Sequence, residues 1–154
     1  MLNYIINTMI RNFEEYTSEL TEDEANYIMP KLLKILILRI GKENAITNRS
    51  IINYFKAYPI LKQDKMDPGL SWTIKTSEPR IRHMIHILRV SDTIPFLVAS
   101  SQGYYISNDK QEIEDYMQSI DDRLRSIYQI RRALKRQIRE WGKPTEAIQG
   151  QLIF

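Results

Sequence analysis

The most concentrated chemistry in the sequence lies in SEPRIRHMIHILRV, where Arg80, Arg82, His83, His86 and Arg89 crowd into ten positions. On a helix, Arg82, His86 and Arg89 fall at steps of four and three and make one polar stripe. A guanidinium is a planar fork of donors that matches two acceptors on a guanine edge or two phosphate oxygens, and an imidazole adds a further donor. Arg80 is expected nearer the phosphate backbone of such a ligand. His83 and His86 could touch one metal ion, but their neighbours are bases where carboxylate ligands would be needed. No metal and no cofactor are expected.

Catalysis finds no other foothold. There is no Gly-rich phosphate loop and no recognisable Ser-His-Asp arrangement. The absence of cysteine removes thiolate ligands, a cysteine nucleophile and any disulfide framework. Glu14-Glu15 and Asp121-Asp122 are adjacent pairs, so on a helix they diverge by about 100° and do not converge on a substrate. The chain is expected to be non-enzymatic.

The helix that must carry the arginine stripe is well specified. Ser77 suits the N-cap, and Glu78 and Pro79 suit the first turn. Ile81, Met84, Ile85 and Leu88 recur at helical spacing and make an apolar face. After Asp92 the period changes. Pro95 to Ala99 and Tyr104 to Ser107 read as two short strands joined by Ser100-Ser101-Gln102-Gly103, a hairpin with glycine for the positive φ. Ser100, Ser101 and Gln102 offer hydroxyls, an amide and backbone N–H groups to a phosphate or groove edge. Without lysine or arginine, this tip releases no counterions and adds little affinity.

The flanking elements follow from similar signals. Leu2, Ile6, Met9, Phe13, Tyr16 and Leu20 form a seam on an N-terminal helix, to be buried within the domain or against a second copy. Thr21 to Glu24 is a capping box, opening a helix that runs toward Ile40 with a kink at Pro30. Its apolar stretch from Leu32 to Ile40 is expected at the core, with Gly41 as its stop. Asn44 to Ile46 could be a very short strand, and Thr47 caps a helix from Asn48 to Tyr58 with Ile51, Ile52 and Phe55 inward. Pro59 to Thr76 is a long connection with a turn at Pro68-Gly69 and alternation at Leu70, Trp72 and Ile74. It is read either as an ordered insertion anchored by Trp72 or as an extra contact surface. A long helix from Lys110 to Trp141 carries Ile113, Met117, Ile120, Leu124, Ile127, Leu134 and Ile138 as a heptad seam, with Arg131 in register. Acids gather at its start and bases at its end.

A net charge of +3 permits an anionic polymer as partner without demanding one. Arg11, Glu14 and Glu15 interrupt the first apolar pattern, so no secretory leader is expected. The greasiest run, Ile28 to Ile40, is too short to span a bilayer. At 154 residues a single domain is expected over 1–154, with an N-terminal helix 1–20, a core 21–107 containing the insertion 59–76, a long helix 108–141 and a tail 142–154.

RHMIHILRV, then IPFLVASSQGYYIS, then an acidic helix start together resemble small phage and prophage winged-helix proteins. The matching residues are Ile85, Ile87, Leu88 and Arg89, followed by Ala99, Ser100, Ser101, Gly103, Tyr104 and Tyr105. The resemblance implies a mainly α fold, a winged helix-turn-helix with a short β-hairpin wing, an N-terminal helix and a long C-terminal helix. It further implies a double-stranded DNA binder in the bacterial cytoplasm, a transcriptional regulator or replication-module factor, reading the major groove with helix 78–91. The contacting residues would be Arg80, Arg82, His83, His86, Arg89, Ser100, Ser101 and Gln102. A homodimer is expected through Met117, Ile120, Leu124, Ile127 and Leu134, paired so that two such helices meet successive grooves. The alternative is a module of the same fold that binds a host protein. No membrane partner is expected.

Overall fold

The computed structural model describes residues 18–143, so most of the expected N-terminal helix and the tail from 144 lie outside the described residues. The capping box forms as the sequence requires. The Glu24 N–H donates to Thr21 Oγ1 at 3.1 Å, and the Thr21 N–H donates to Glu24 Oε2 at 3.0 Å. The first helix, α1, is a π-helical turn Glu24–Ile28 continued by α-helix Met29–Leu36. The irregularity expected at Pro30 is this wide turn, placed where proline leaves a carbonyl without its donor.

α1 stops at Leu36 and not at Ile40, and Ile37, Leu38 and Ile40 are exposed. The backbone there has another use. Ile106 N–H donates to the Arg39 carbonyl at 2.7 Å, and Gly41 N–H donates to the Ile106 carbonyl at 3.0 Å. Gly41, at φ +84°, therefore turns the chain from this bridge into a 3-10 turn, Lys42–Asn44, and does not cap the helix. The short strand expected at 44–46 is a single antiparallel bridge between Ile46 and Tyr104.

The second helix, α2 (Asn48–Ala57), starts where Thr47 Oγ1 accepts from the Ser50 N–H, and it buries Ile51, Ile52 and Phe55. The long connection that follows is a hairpin of β1 (Ile60–Gln63) and β2 (Ser71–Ile74), with Lys62 opposite Trp72. The expected turn is built by Asp64, whose carboxylate accepts from the Met66 and Asp67 N–H groups; those bonds hold its pKa below the usual range. Trp72 does not anchor the hairpin in the core. It is 40% exposed, with the Lys62 ammonium 5.8 Å from its ring, and Lys62 reaches back to Asp23 at 2.5 Å.

The third helix, α3 (Glu78–Val90), is capped by Ser77 and carries Pro79 in its first turn. Ile81, Met84, Ile85 and Leu88 are all buried, in one core with Leu32, Leu36, Ile51 and Phe55. The second hairpin pairs β3 (Leu97–Ser100) with β4 (Gly103–Ile106). Pro95 and Phe96 lie in the turn before β3, outside the strand expected to include them, with Phe96 at φ +61°. Ser101 and Gln102 keep negative φ, and Gly103 takes φ +119°. A side chain there would also meet the Ile46 carbonyl oxygen at 2.3 Å, so glycine is required twice over.

The last helix, α4 (Lys110–Arg139), matches the expected long helix and buries none of its residues. Two compact units divide the chain, one ending at Ile113 and the other beginning at Glu114. The described residues are mostly helical, with four helices and two small antiparallel hairpins.

Candidate nucleic-acid interface

α3 presents its stripe as a consequence of how it is held. With Ile81, Met84, Ile85 and Leu88 facing the core, Arg82 and His86 emerge exposed on the other side, while His83 and Arg89 are half-buried. Arg82 donates to Glu78 Oε2 at 3.1 Å, an exposed pair one turn apart that a phosphate can displace at small cost. His86 is open. Arg89 has a second duty: its Nε donates to the Leu97 carbonyl at 3.1 Å, tying the end of α3 to the start of β3.

Arg80 departs from its expected place. It is 7% exposed, with Nε 2.7 Å from Glu24 Oε1 and Nη2 2.6 Å from Glu24 Oε2. Its remaining donors reach the Ser18 and Glu19 carbonyls and the Ser18 hydroxyl. The reason is position, since Arg80 precedes Ile81 on the edge of the apolar face and the capping-box carboxylate of α1 lies against it. Burial by itself would raise the Glu24 pKa. Its hydrogen bonds to Arg80 and Thr21 and the Arg80 charge outweigh that and hold the carboxyl below the usual range. This cluster joins α1 to α3 and leaves Arg80 no part in a ligand face.

His83 is held below the usual imidazole range by burial first, then by the charges of Arg80 and His86. At the hairpin tip, Ser100 Oγ accepts from the Gln102 N–H and donates to the Gly103 carbonyl, which commits that hydroxyl to the turn. Ser101 and Gln102 are exposed. Below the tip, the hairpin is clamped to the start of α4. Tyr105 Oη donates to Glu112 Oε1 at 2.7 Å, and the Ser107 hydroxyl donates to Glu112 Oε2. Burial, then the Glu112 carboxylate, push the Tyr105 phenol up to about 12.

The start of α2 belongs beside this face and was not singled out from sequence. Thr47 and Asn48 share a cleft of about 230 Å3 with Ala99, Ser100, Ser101, Gly103 and Tyr104. Arg49 is exposed on the same first turn. The available signal was the Thr47 cap, but only the Ile46–Tyr104 bridge brings that cap to the hairpin. Asn48 Nδ2 also donates to the Glu78 carbonyl at 3.1 Å, so α2 and α3 begin side by side. A short-turn helix-turn-helix instead joins the end of its first helix to the start of its second. The long connection makes the difference, because Thr73 to Thr76 returns along Phe55 and Ile52 before α3 starts.

Of the residues expected to pair two chains, Met117, Leu124, Ile127 and Leu134 are exposed and Ile120 is half-buried. Among the described residues, no three His, Cys, Asp or Glu side chains gather as metal ligands, and no helix is long and apolar enough to cross a membrane. Comparison of the chain with protein-family models, curated proteins and solved structures returns no match.

Proposed function

We propose that the chain is a non-enzymatic double-stranded DNA-binding protein of the phage or prophage winged helix-turn-helix type, a transcriptional regulator or replication-module factor in the bacterial cytoplasm. α3 is its recognition helix and β3–β4 its wing. The observation that carries this reading is the division of α3: its apolar stripe Ile81, Met84, Ile85 and Leu88 is buried while Arg82 and His86 stand exposed, and Arg89 at its end is bonded to the Leu97 carbonyl at the start of the hairpin. In this reading Arg82 and His86 meet the groove, Arg49, Ser101 and Gln102 meet phosphates, and Arg89 and His83 line the edge. Arg89 also sets the angle of the wing through its bond to Leu97. Arg80 organises the fold and is withdrawn from the contact set.

One observation favours the second reading, a module that docks a host protein. The wing tip carries no cation, and Arg80 and Arg89 are bonded within the chain, which reduces the positive charge that α3 presents. Binding to random-sequence duplex across a salt series separates the two. A DNA binder loses affinity with a log–log slope of about −0.9 per phosphate contact. Binding that is absent at low salt, or insensitive to salt, overturns the DNA reading and leaves the docking module.

A further inference from the structure

α4 runs for 30 residues and none of them is buried, yet its sequence holds a three-four pattern that is apolar at every position but one. Ile113, Met117, Ile120, Leu124, Ile127, Leu134 and Ile138 make the stripe, with Arg131 in the remaining position. Ile127 is 62% exposed, and Met117, Leu124, Leu134 and Ile138 stand comparably open. Helices in proteins gain most of their stability by packing an amphipathic face, and a heptad stripe of this regularity is the seam of a helix pair.

The charges of the helix say which partner fits. Glu112, Glu114, Asp115, Asp121 and Asp122 gather in its first half, and Arg125, Arg131, Arg132, Lys135, Arg136 and Arg139 in the second, with Arg123 near the middle. A second copy laid parallel sets acids on acids, bases on bases, and Arg131 against its own counterpart inside the seam. A second copy laid antiparallel sets each acidic half on a basic half. The register is also fixed. Placing Met117 opposite the partner's Leu134 puts Leu124 opposite Ile127, Ile138 opposite Ile113 and Arg131 opposite Ile120, so every seam position has a counterpart. A slip of one heptad in either direction strands seam residues in water. In that register Arg131 lies beside the partner's Asp121, and the Lys135 row faces the partner's Glu114 row.

We propose that α4 is a self-complementary antiparallel coiled-coil surface whose partner is a second copy of this chain, in the Met117–Leu134 register. The pairing is independent of what α3 binds. Arg131 is its orientation device: a buried polar residue that is matched in one alignment and opposed in the other specifies orientation at some cost in stability.

The cysteine-free sequence allows a direct test on the full chain. Met117→Cys protein is mixed with Leu134→Cys protein, both sites being exposed in the protomer, and the thiols are oxidised mildly. The antiparallel register brings these two together, and a disulfide needs α-carbons within roughly 7 Å. Like residues lie about 25 Å apart along the pair at 1.5 Å per residue, out of reach. The expected product is a mixed disulfide from the two variants together and none from either alone. Self-linking of Met117→Cys alone overturns the orientation. Sedimentation of the unmodified chain at about 10 μM should show a dimer, and Leu124→Asp should raise its dissociation constant at least ~100-fold while the circular dichroism of the body persists. A monomer for the unmodified chain at that concentration overturns the proposal, and assigns the seam to cover from within the same chain.

Discussion

α3 and α4 are both amphipathic helices with an apolar stripe, broken on α4 only at Arg131, but only one has its stripe covered. On α3 the covered face is apolar and the open face carries Arg82 and His86. On α4 the apolar face itself is open. The contrast shows how to read an exposed face. What a folded chain leaves uncovered after finishing its own core is the surface it offers to others, and its chemistry names the class of partner. In the proposed reading the open polar face of α3 meets an anionic polymer, and the open heptad seam of α4 meets another helix.

The sharpest way to break this contrast is to disturb the one charge that α3 does bury. Glu24→Ala leaves the Arg80 guanidinium desolvated with no carboxylate, and should cost about 3–5 kcal/mol in unfolding free energy by denaturant titration. If the loss is under about 1 kcal/mol, Arg80 is not inside, and the α3 face must be redrawn to include it.

The same substitution on each stripe sharpens the comparison further. Ile81→Ala, at a site with 0% exposure, should lower stability by about 2–5 kcal/mol at every protein concentration. Ile127→Ala should destabilise only the associated state, so its effect on the thermal midpoint should fade on dilution. Equal, concentration-independent losses at both sites would mean that α4 is covered within the chain.

These contrasts were legible in part. Ser77, Thr47 and Thr21 announce their caps through local hydrogen-bonding chemistry, and all three form. The apolar period of α3 and the length of α4 are equally local, and the structure has both. Arg80 was misplaced because one position of rotation decides between a face and its edge, and the partner that draws it inward stands 56 residues away. The end of α1 was misplaced for a similar reason. Arg39 and Ile40 read as helix by composition with Gly41 as the stop, but Ile106 bridges to the Arg39 carbonyl and the Gly41 N–H. The first hairpin was half seen, since Ile60–Gln63 lacks the strong alternation of its partner strand. The start of α2 joins the candidate site through its bridge to the second hairpin, which no local pattern encodes.

A smaller effect concerns acid. Hydrogen bonds from Ser107 and Tyr105 hold Glu112 below its ordinary 4.5. Glu24 is also held below that value, with Arg80 and Thr21 overcoming its burial. Each depressed carboxyl adds stability above its unfolded pKa and forfeits it as pH falls through the folded value. His83 is depressed too, so its contribution is present above 6.5 and declines below. Stability should therefore sag gently below pH 6.5 and steeply below pH 4.5. Glu24→Gln should flatten the steep limb. An unchanged limb would show that Glu24 does not titrate with folding.

The DNA-reading face of α3 is the central claim, and duplex affinity of the double variant Arg82→Ala/His86→Ala tests it most directly, measured beside the unmodified chain across a salt series. Both side chains are exposed, so the fold should survive, which circular dichroism verifies. The account predicts a loss of about 1–3 kcal/mol in binding, with a shallower salt slope. Unchanged affinity and slope with the fold intact would contradict it.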